Sequence, residues 1–268
     1  MIAAWKDVFR GSWRYMLACP LLFAIPLAAE IAQHLAEIHI GMYASLAQAK
    51  AVESDPLRMG FGVLKVLSLL LTGYWMTRFL AFADGARQAA HWDGRAVRLY
   101  AGVLVWSLGW MAVDLWGGGV LRALGIAERP ILWTGIAVFA ASFVLETYLS
   151  VWKTGAALGN PALGFVRSIR MIHGQFWWSL ALTLLVVVPL MVAHYALGLG
   201  AIGRRAALLW PMLALDALEV SFLGAAMVAG QFVIARRAAA RAGVPLLPRS
   251  AALPGAADGN IVAAGGPA

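Results

Sequence analysis

Charge is what this chain has least of. Only 13% of its 268 residues are Asp, Glu, Lys or Arg, about half the share found in soluble domains. That scarcity excludes an ordinary soluble globular protein. A single cysteine, Cys19, excludes an internal disulfide. No HExxH zinc helix, GxSxG nucleophile turn or GxxxxGK[ST] phosphate loop occurs. Dinucleotide and nucleic-acid modules are missing too. The chain therefore reads as a non-enzyme without cofactor or bound metal, and without nucleic acid as a partner. Met16-Leu-Ala-Cys19 has the outline of a lipoprotein cleavage box. The apolar run before it is too short for a signal-peptide core, so the first apolar segment is expected to remain as a helix.

Apolar residues are what the chain has in abundance, at 62%. A bilayer crossing needs about 20 mostly apolar residues, and six segments qualify: 13–38, 59–83, 97–119, 130–152, 176–200 and 209–235. The expected fold is an all-α integral membrane domain over 1–241 with a disordered tail over 242–268. Pro20, Pro26 and Pro189 fall inside spans, and the carbonyls they free need neighbouring helices or water. Packed helices are thus expected rather than plain anchors. Fourteen Lys and Arg fall on the side of the termini and six on the other, with Lys65 inside a span. The positive-inside bias places both termini in the cytoplasm. Trp92, Trp152, Trp177 and Trp178 fall near predicted inner edges, and Trp116, Trp133 and Trp210 near outer ones. The longest connection, 39–58, has room for a short surface helix.

A repeat organises the spans. Segments 95–108 and 167–180 both read R-x-x-R-x-x-x-G-x-x-x-W-S-L, without a gap. A weaker third copy aligns Gly11, Tyr15 and Leu17 with Gly102, Trp106 and Leu108. Its apolar positions have helical spacing, as in a helix lying in the membrane surface, and the glycine permits a bend into the span. The expectation is three parallel hairpins, each preceded by an amphipathic cytoplasmic elbow. The competing explanation is that Arg and Trp collect at inner interfaces in any membrane protein. The stretch Ala162-Leu-Gly-Phe-Val-Arg-Ser-Ile-Arg-Met-Ile-His-Gly-Gln-Phe-Trp177 resembles an elbow of six-helix bacterial membrane proteins. These include the YciC-like proteins and the membrane domain found beside some glycerophosphodiester phosphodiesterases. The resemblance implies a bacterial inner-membrane protein of that shape. It carries over no catalytic residue, since the phosphodiesterase chemistry of that family lies in a separate soluble domain that does not fit in this chain.

Ionisable groups inside spans are costly and so are functional candidates. Glu30, Lys65 and Asp114 are placed in the outer half, Asp216 and Glu219 near the middle, and Arg78 and Glu146 toward the cytoplasm. One reading is a proton or cation relay through Glu30, Lys65, Asp114, Glu146, Asp216 and Glu219. The other is structural: Lys65 pairs with Glu30, Asp114 or Asp216, and Arg78 with Glu146. Glu30, His34 and Glu37 share one helix face. That face could bind a metal or sense pH, although a wetted helix end is the expectation, and His194 could join it. Gly155 and Gly159 have helix-pairing spacing but read as a helix end. Arg95, Arg98, Arg167, Arg170, Arg236 and Arg237 are candidates for anionic lipid headgroups. Membrane lipids, or another membrane protein, are the expected partners. The function expected first is an accessory or envelope-maintenance protein that binds lipid or a membrane-protein partner; the alternative is a transporter or channel for a small solute, ion or lipid.

Overall fold

A computed structural model of the chain describes residues 1–82 and 85–248, which form ten helices and contain no strand. The end of the second expected span at Ala83, together with Arg249 and the rest of the tail, lies outside the described residues. Six helices are long and apolar enough to cross a membrane: α2 (Pro20–His39), α4 (Pro56–Ala81), α6 (Gly94–Ala123), α7 (Glu128–Ala157), α9 (Phe176–Ala201) and α10 (Ala206–Arg241). The shorter ones are α1 (Ile2–Ala18), α3 (Leu46–Ala51), α5 (Gly85–Ala90) and α8 (Phe165–His173). The protein is a six-helix, all-α membrane protein.

Helix α10 is the axis of the bundle and touches α1, α2, α4, α7 and α9. Its 36 residues run about 54 Å, well beyond the roughly 30 Å hydrocarbon layer. Small residues make the close packing possible: Gly224, Ala225, Ala226 and Ala229 are buried on α10. A Cβ at Gly224 would stand 2.5 Å from the Leu69 side chain. Helices α2, α4 and α9 meet α10 in the half near its N-terminus, where Asp216 lies against His34 and His194, and at its middle, where Gly224 lies against Leu69. The α6–α7 hairpin joins the bundle mainly through the later part of α7, where Leu149, Val151, Ala156 and Ala157 are buried. The far end of this hairpin exposes Val113, Trp116, Val120, Leu132, Trp133, Ile136 and Phe139.

The elbows differ from copy to copy. Only the third matches the expectation: α8 ends at Gly174 and Gln175 leaves the helical region before α9 starts. Ser168 ties this elbow to α7, its Oγ donating to Tyr148 O (2.6 Å) and accepting from Trp152 N (3.1 Å). In the first copy the bend is at Cys19–Pro20 rather than Gly11, and the span begins at Pro20 rather than at residue 13. Proline cannot donate to the preceding turn but fits the first turn of a new helix. Gly11 stays helical and serves packing, since a Cβ there would stand 3.1 Å from Leu80. The second copy has no bend: α6 runs unbroken from Gly94 through Gly102. Its start is capped by Asp93, whose Oδ1 accepts from Arg95 N (2.9 Å) and Ala96 N (2.8 Å). A glycine permits a bend, but tertiary contacts decide whether one forms.

Two further expectations are corrected. Composition places residues 244–248 in a disordered tail, yet Val244 and Leu246 pack on the core. Asn160 Nδ2 holds that segment by donating to Pro245 O (3.2 Å) and Leu246 O (2.9 Å). Arg78 and Glu146 do not pair. Arg78 donates instead to the carbonyls of Gln88 (3.0 Å) and Ala157 (3.3 Å), while Glu146 pairs with Lys153 at 2.6 Å. Lys153 is buried on α7. The short helix foreseen in 39–58 is α3, capped by Ser45 Oγ accepting from Gln48 N at 3.1 Å.

Candidate functional site

One face of α2 carries Glu30, Gln33, His34 and Glu37, spaced three and four apart, and all four are buried. Helical periodicity stacks them, and the neighbouring helices supply their partners. Arg58 and Lys65 come from α4, two turns apart on one face. His194 comes from α9 and Asp216 from α10, while Tyr43 descends from the connection after α2. That connection is pinned by Gly203 N donating to Tyr43 O at 2.8 Å. Together these elements enclose an open cavity of about 390 Å³, lined by Glu30, His34, Glu37, Lys65, His194 and Asp216 among others. It lies in the half of the bundle away from α8 and the end of α10.

The polar groups form a continuous array. Arg58 Nε donates to Glu37 Oε1 (3.1 Å), as does Gln33 Nε2 (3.0 Å). Tyr43 donates its hydroxyl to Glu37 Oε2 at 2.7 Å. Burial, and then the charge of Glu37, push the Tyr43 phenol well above its usual range, so it stays a neutral donor. His34 Nδ1 lies 2.9 Å from Tyr43 Oη and 3.1 Å from Glu37 Oε2. Two acceptors on that side place a proton on Nδ1. The opposite nitrogen, His34 Nε2, lies 3.1 Å from Asp216 Oδ2 and 3.6 Å from Glu30 Oε1. Asp216 Oδ1 faces His194 Nδ1 at 2.8 Å. Lys65 Nζ is 3.1 Å from Glu30 Oε2.

The charges do not balance. Three buried acids, Glu30, Glu37 and Asp216, face two permanent cations, Arg58 and Lys65. Glu219, one turn along α10 from Asp216, adds a fourth carboxyl, whose oxygens are buried without a hydrogen-bond partner. Glu30 Oε2, His34 Nε2 and Asp216 Oδ2 are also buried and complete no hydrogen bond, their near neighbours lying at ion-pair distance only. An unpaired buried charge costs several kcal/mol, on the order of 3–5. The site therefore calls for further positive charge, carried by a histidine proton or by a bound cation.

The structure brings Glu30, Lys65 and Asp216 together and sets Glu219 beside them. It leaves out the other two relay candidates. Glu146 sits with Lys153 and Gln231, on a separate apolar cavity of about 210 Å³ between α7, α9 and α10. Asp114 is exposed on α6 and, among the described residues, makes no ion pair. Sequence reasoning missed Tyr43, Gln33 and Arg58. The signal for Arg58 was present: it precedes Lys65 by seven positions, two turns on one helix face. Tyr43 sits in a connection and carried no such signal. The six arginines proposed for headgroups are all exposed. Of these, Arg95 and Arg167 line one cavity of about 570 Å³ on the side of the termini. Arg236 pairs with Asp7 at 3.3 Å, and Arg237 stacks 4.1 Å from the Trp178 ring centre.

Comparison with known proteins gives no match: no family model fits the chain, and neither a curated protein nor a solved structure is similar to it.

Proposed function

We propose that this protein is a transporter or channel that admits a small cation or cationic solute through the cavity between α2, α4, α9 and α10. One observation carries the reading: an open cavity walled by buried carboxylates that outnumber their fixed cations. A scaffold needs no such opening, because an ion-paired core does its work dry. Glu219 extends the acidic face of α10 inward from Asp216. The bias of Lys and Arg toward the termini supports an orientation with both termini cytoplasmic and the cavity facing outward. Together with the resemblance of the third elbow to six-helix bacterial proteins, it supports a place in a bacterial inner membrane.

The test is charge movement by proteoliposomes on a solid-supported membrane, under imposed gradients of protons and small cations. A transient current is expected for at least one cation, and Asp216→Asn should abolish it while size-exclusion behaviour is retained. Silence with every cation in the panel sinks the reading.

A second reading, an accessory protein binding lipid or another membrane protein, is favoured by the unpacked far end of α6–α7. Trp116, Trp133 and Phe139 stand exposed there, and exposed aromatics suit an interface as well as lipid. Native mass spectrometry after gentle extraction distinguishes it. A stoichiometric protein partner that is lost with Trp133→Ala supports the accessory reading, and a monomer carrying only lipid opposes it.

A further inference from the structure

We propose that Glu30, His194 and Asp216 form a binding site for a divalent transition-metal ion of the zinc type. The proposal rests on the reading of the outer cavity as a cation site, and it names the cation. One ligand atom from each of the three residues lies within 4.8 Å of the other two. Around a tetrahedral ion with bonds of about 2.1 Å, ligand atoms sit about 3.4 Å apart. Side-chain rotations on the order of 1 Å close the difference. The backbone positions of α2, α9 and α10 can stay as they are.

A second observation points to a ligand. Asp216 is fully buried and Glu30 is 1% exposed, yet Asp216 Oδ2 and Glu30 Oε2 complete no hydrogen bond. Buried carboxylate oxygens are ordinarily satisfied, and both residues line the cavity that His194 also lines. His34 Nε2 meets the same two carboxylates, at 3.1 and 3.6 Å, and completes no hydrogen bond with either.

The donor set selects the class of ion. One imidazole and two carboxylates are borderline ligands of the kind that suits zinc, and also manganese, iron or cobalt in the divalent state. Calcium and magnesium prefer oxygen alone, and no thiol is present to select copper(I). Two ligand carboxylates match a divalent charge. Three protein ligands leave a fourth position open toward the cavity, the arrangement of a site that exchanges its ion or binds a further group. His194 Nδ1 and Asp216 Oδ1 lie 2.8 Å apart, and the bound ion takes the place of that direct contact. Lys65, at 3.1 Å from Glu30 Oε2, competes for Glu30 and moderates the affinity.

The test is equilibrium binding of Zn²⁺ to the full chain, stripped of metal and held in detergent, by competition with a chelating chromophore. One equivalent is expected, and Co²⁺ in its place should give the visible absorption of a tetrahedral complex. His194→Gln should weaken binding at least tenfold. This side chain is partly exposed at the cavity wall, so the variant is expected to fold. Asp216→Asn, which keeps size and shape, is the second variant, with folding checked by size exclusion. The proposal is overturned if the parent protein binds no Zn²⁺, or if His194→Gln binds as the parent does, since His39, His91 and His173 would then account for the uptake. Cation currents without Zn²⁺ binding would sink this inference and leave the transport reading standing. Zn²⁺ binding without any current would do the reverse.

Discussion

Glu219 and Asp216 are one turn apart on α10, and they illustrate how differently two buried acids can be placed. Asp216 lies against His34 and His194 at 3.1 and 2.8 Å. Removing it strands those partners, and breaking a buried pair costs about 3–5 kcal/mol. Glu219 has neither a hydrogen bond nor an ion pair among the described residues, so its carboxyl is desolvated without return. Replacing such a group by an apolar one of similar volume is neutral or stabilising, by about 1–4 kcal/mol. Glu219→Leu is therefore expected to raise the melting temperature in detergent by a few degrees, and Asp216→Leu to lower it. If the acid is used for permeation, Glu219→Leu should also lose the current while gaining stability. A fall in melting temperature for Glu219→Leu would show that its carboxyl is satisfied after all.

Among the helices, glycines do different jobs, and substitution should separate them. Gly102 lies in the unbroken α6 with open space where a Cβ would stand, whereas a Cβ at Gly155 would meet Leu163 Cβ at 2.5 Å. Gly102→Ala should stabilise by about 0.5–1 kcal/mol, the ordinary helix-propensity gain. Gly155→Ala should destabilise, because α7 must move off the segment that leads into α8. Thermal melts of the two variants, run side by side, check the signs. The start of α6 offers a pH test. Hydrogen bonds from Ala96 N and then Arg95 N hold the Asp93 carboxyl below its usual range, against the effect of burial. A depressed carboxyl contributes stability that is complete above its unfolded value, near 4, and is lost as pH falls through the folded value. Asp93→Ala should cost about 1 kcal/mol at neutral pH, and this difference from the parent should shrink below pH 4. Denaturant titrations at pH 7 and pH 3 measure it. The three similar stretches thus begin their spans in three different ways. A proline breaks the first copy, a cap starts the second, and Gly174–Gln175 ends the elbow of the third.

Taken as one bundle, the protein puts the start of α1, the end of α10 and α8 at one end, and α3 with the mouth of the cavity at the other. An alkaline phosphatase fusion after Gly203 should be active in a bacterial host, and one after Gly243 inactive. The reverse pattern would turn the cavity toward the cytoplasm. The six spans, the all-α class and room for a short helix within 39–58 were legible from hydropathy and turn chemistry, because these depend on neighbours along the chain. The acidic face of α2 was legible for the same reason, since helical spacing alone stacks Glu30, His34 and Glu37. The partners of that face were legible only in part: Lys65 and His194 were candidates among alternatives, and nothing in the pattern paired Asp216 with the histidines. Arg58, Lys65, His194 and Asp216 reach it only because α4, α9 and α10 pack around it, and Asp114, with an equal claim from composition, is carried away on α6. Local pattern sets which residues share a helix face. Which faces meet depends on the fit of small residues such as Gly224 against Leu69, and that is decided by packing between segments far apart in the chain.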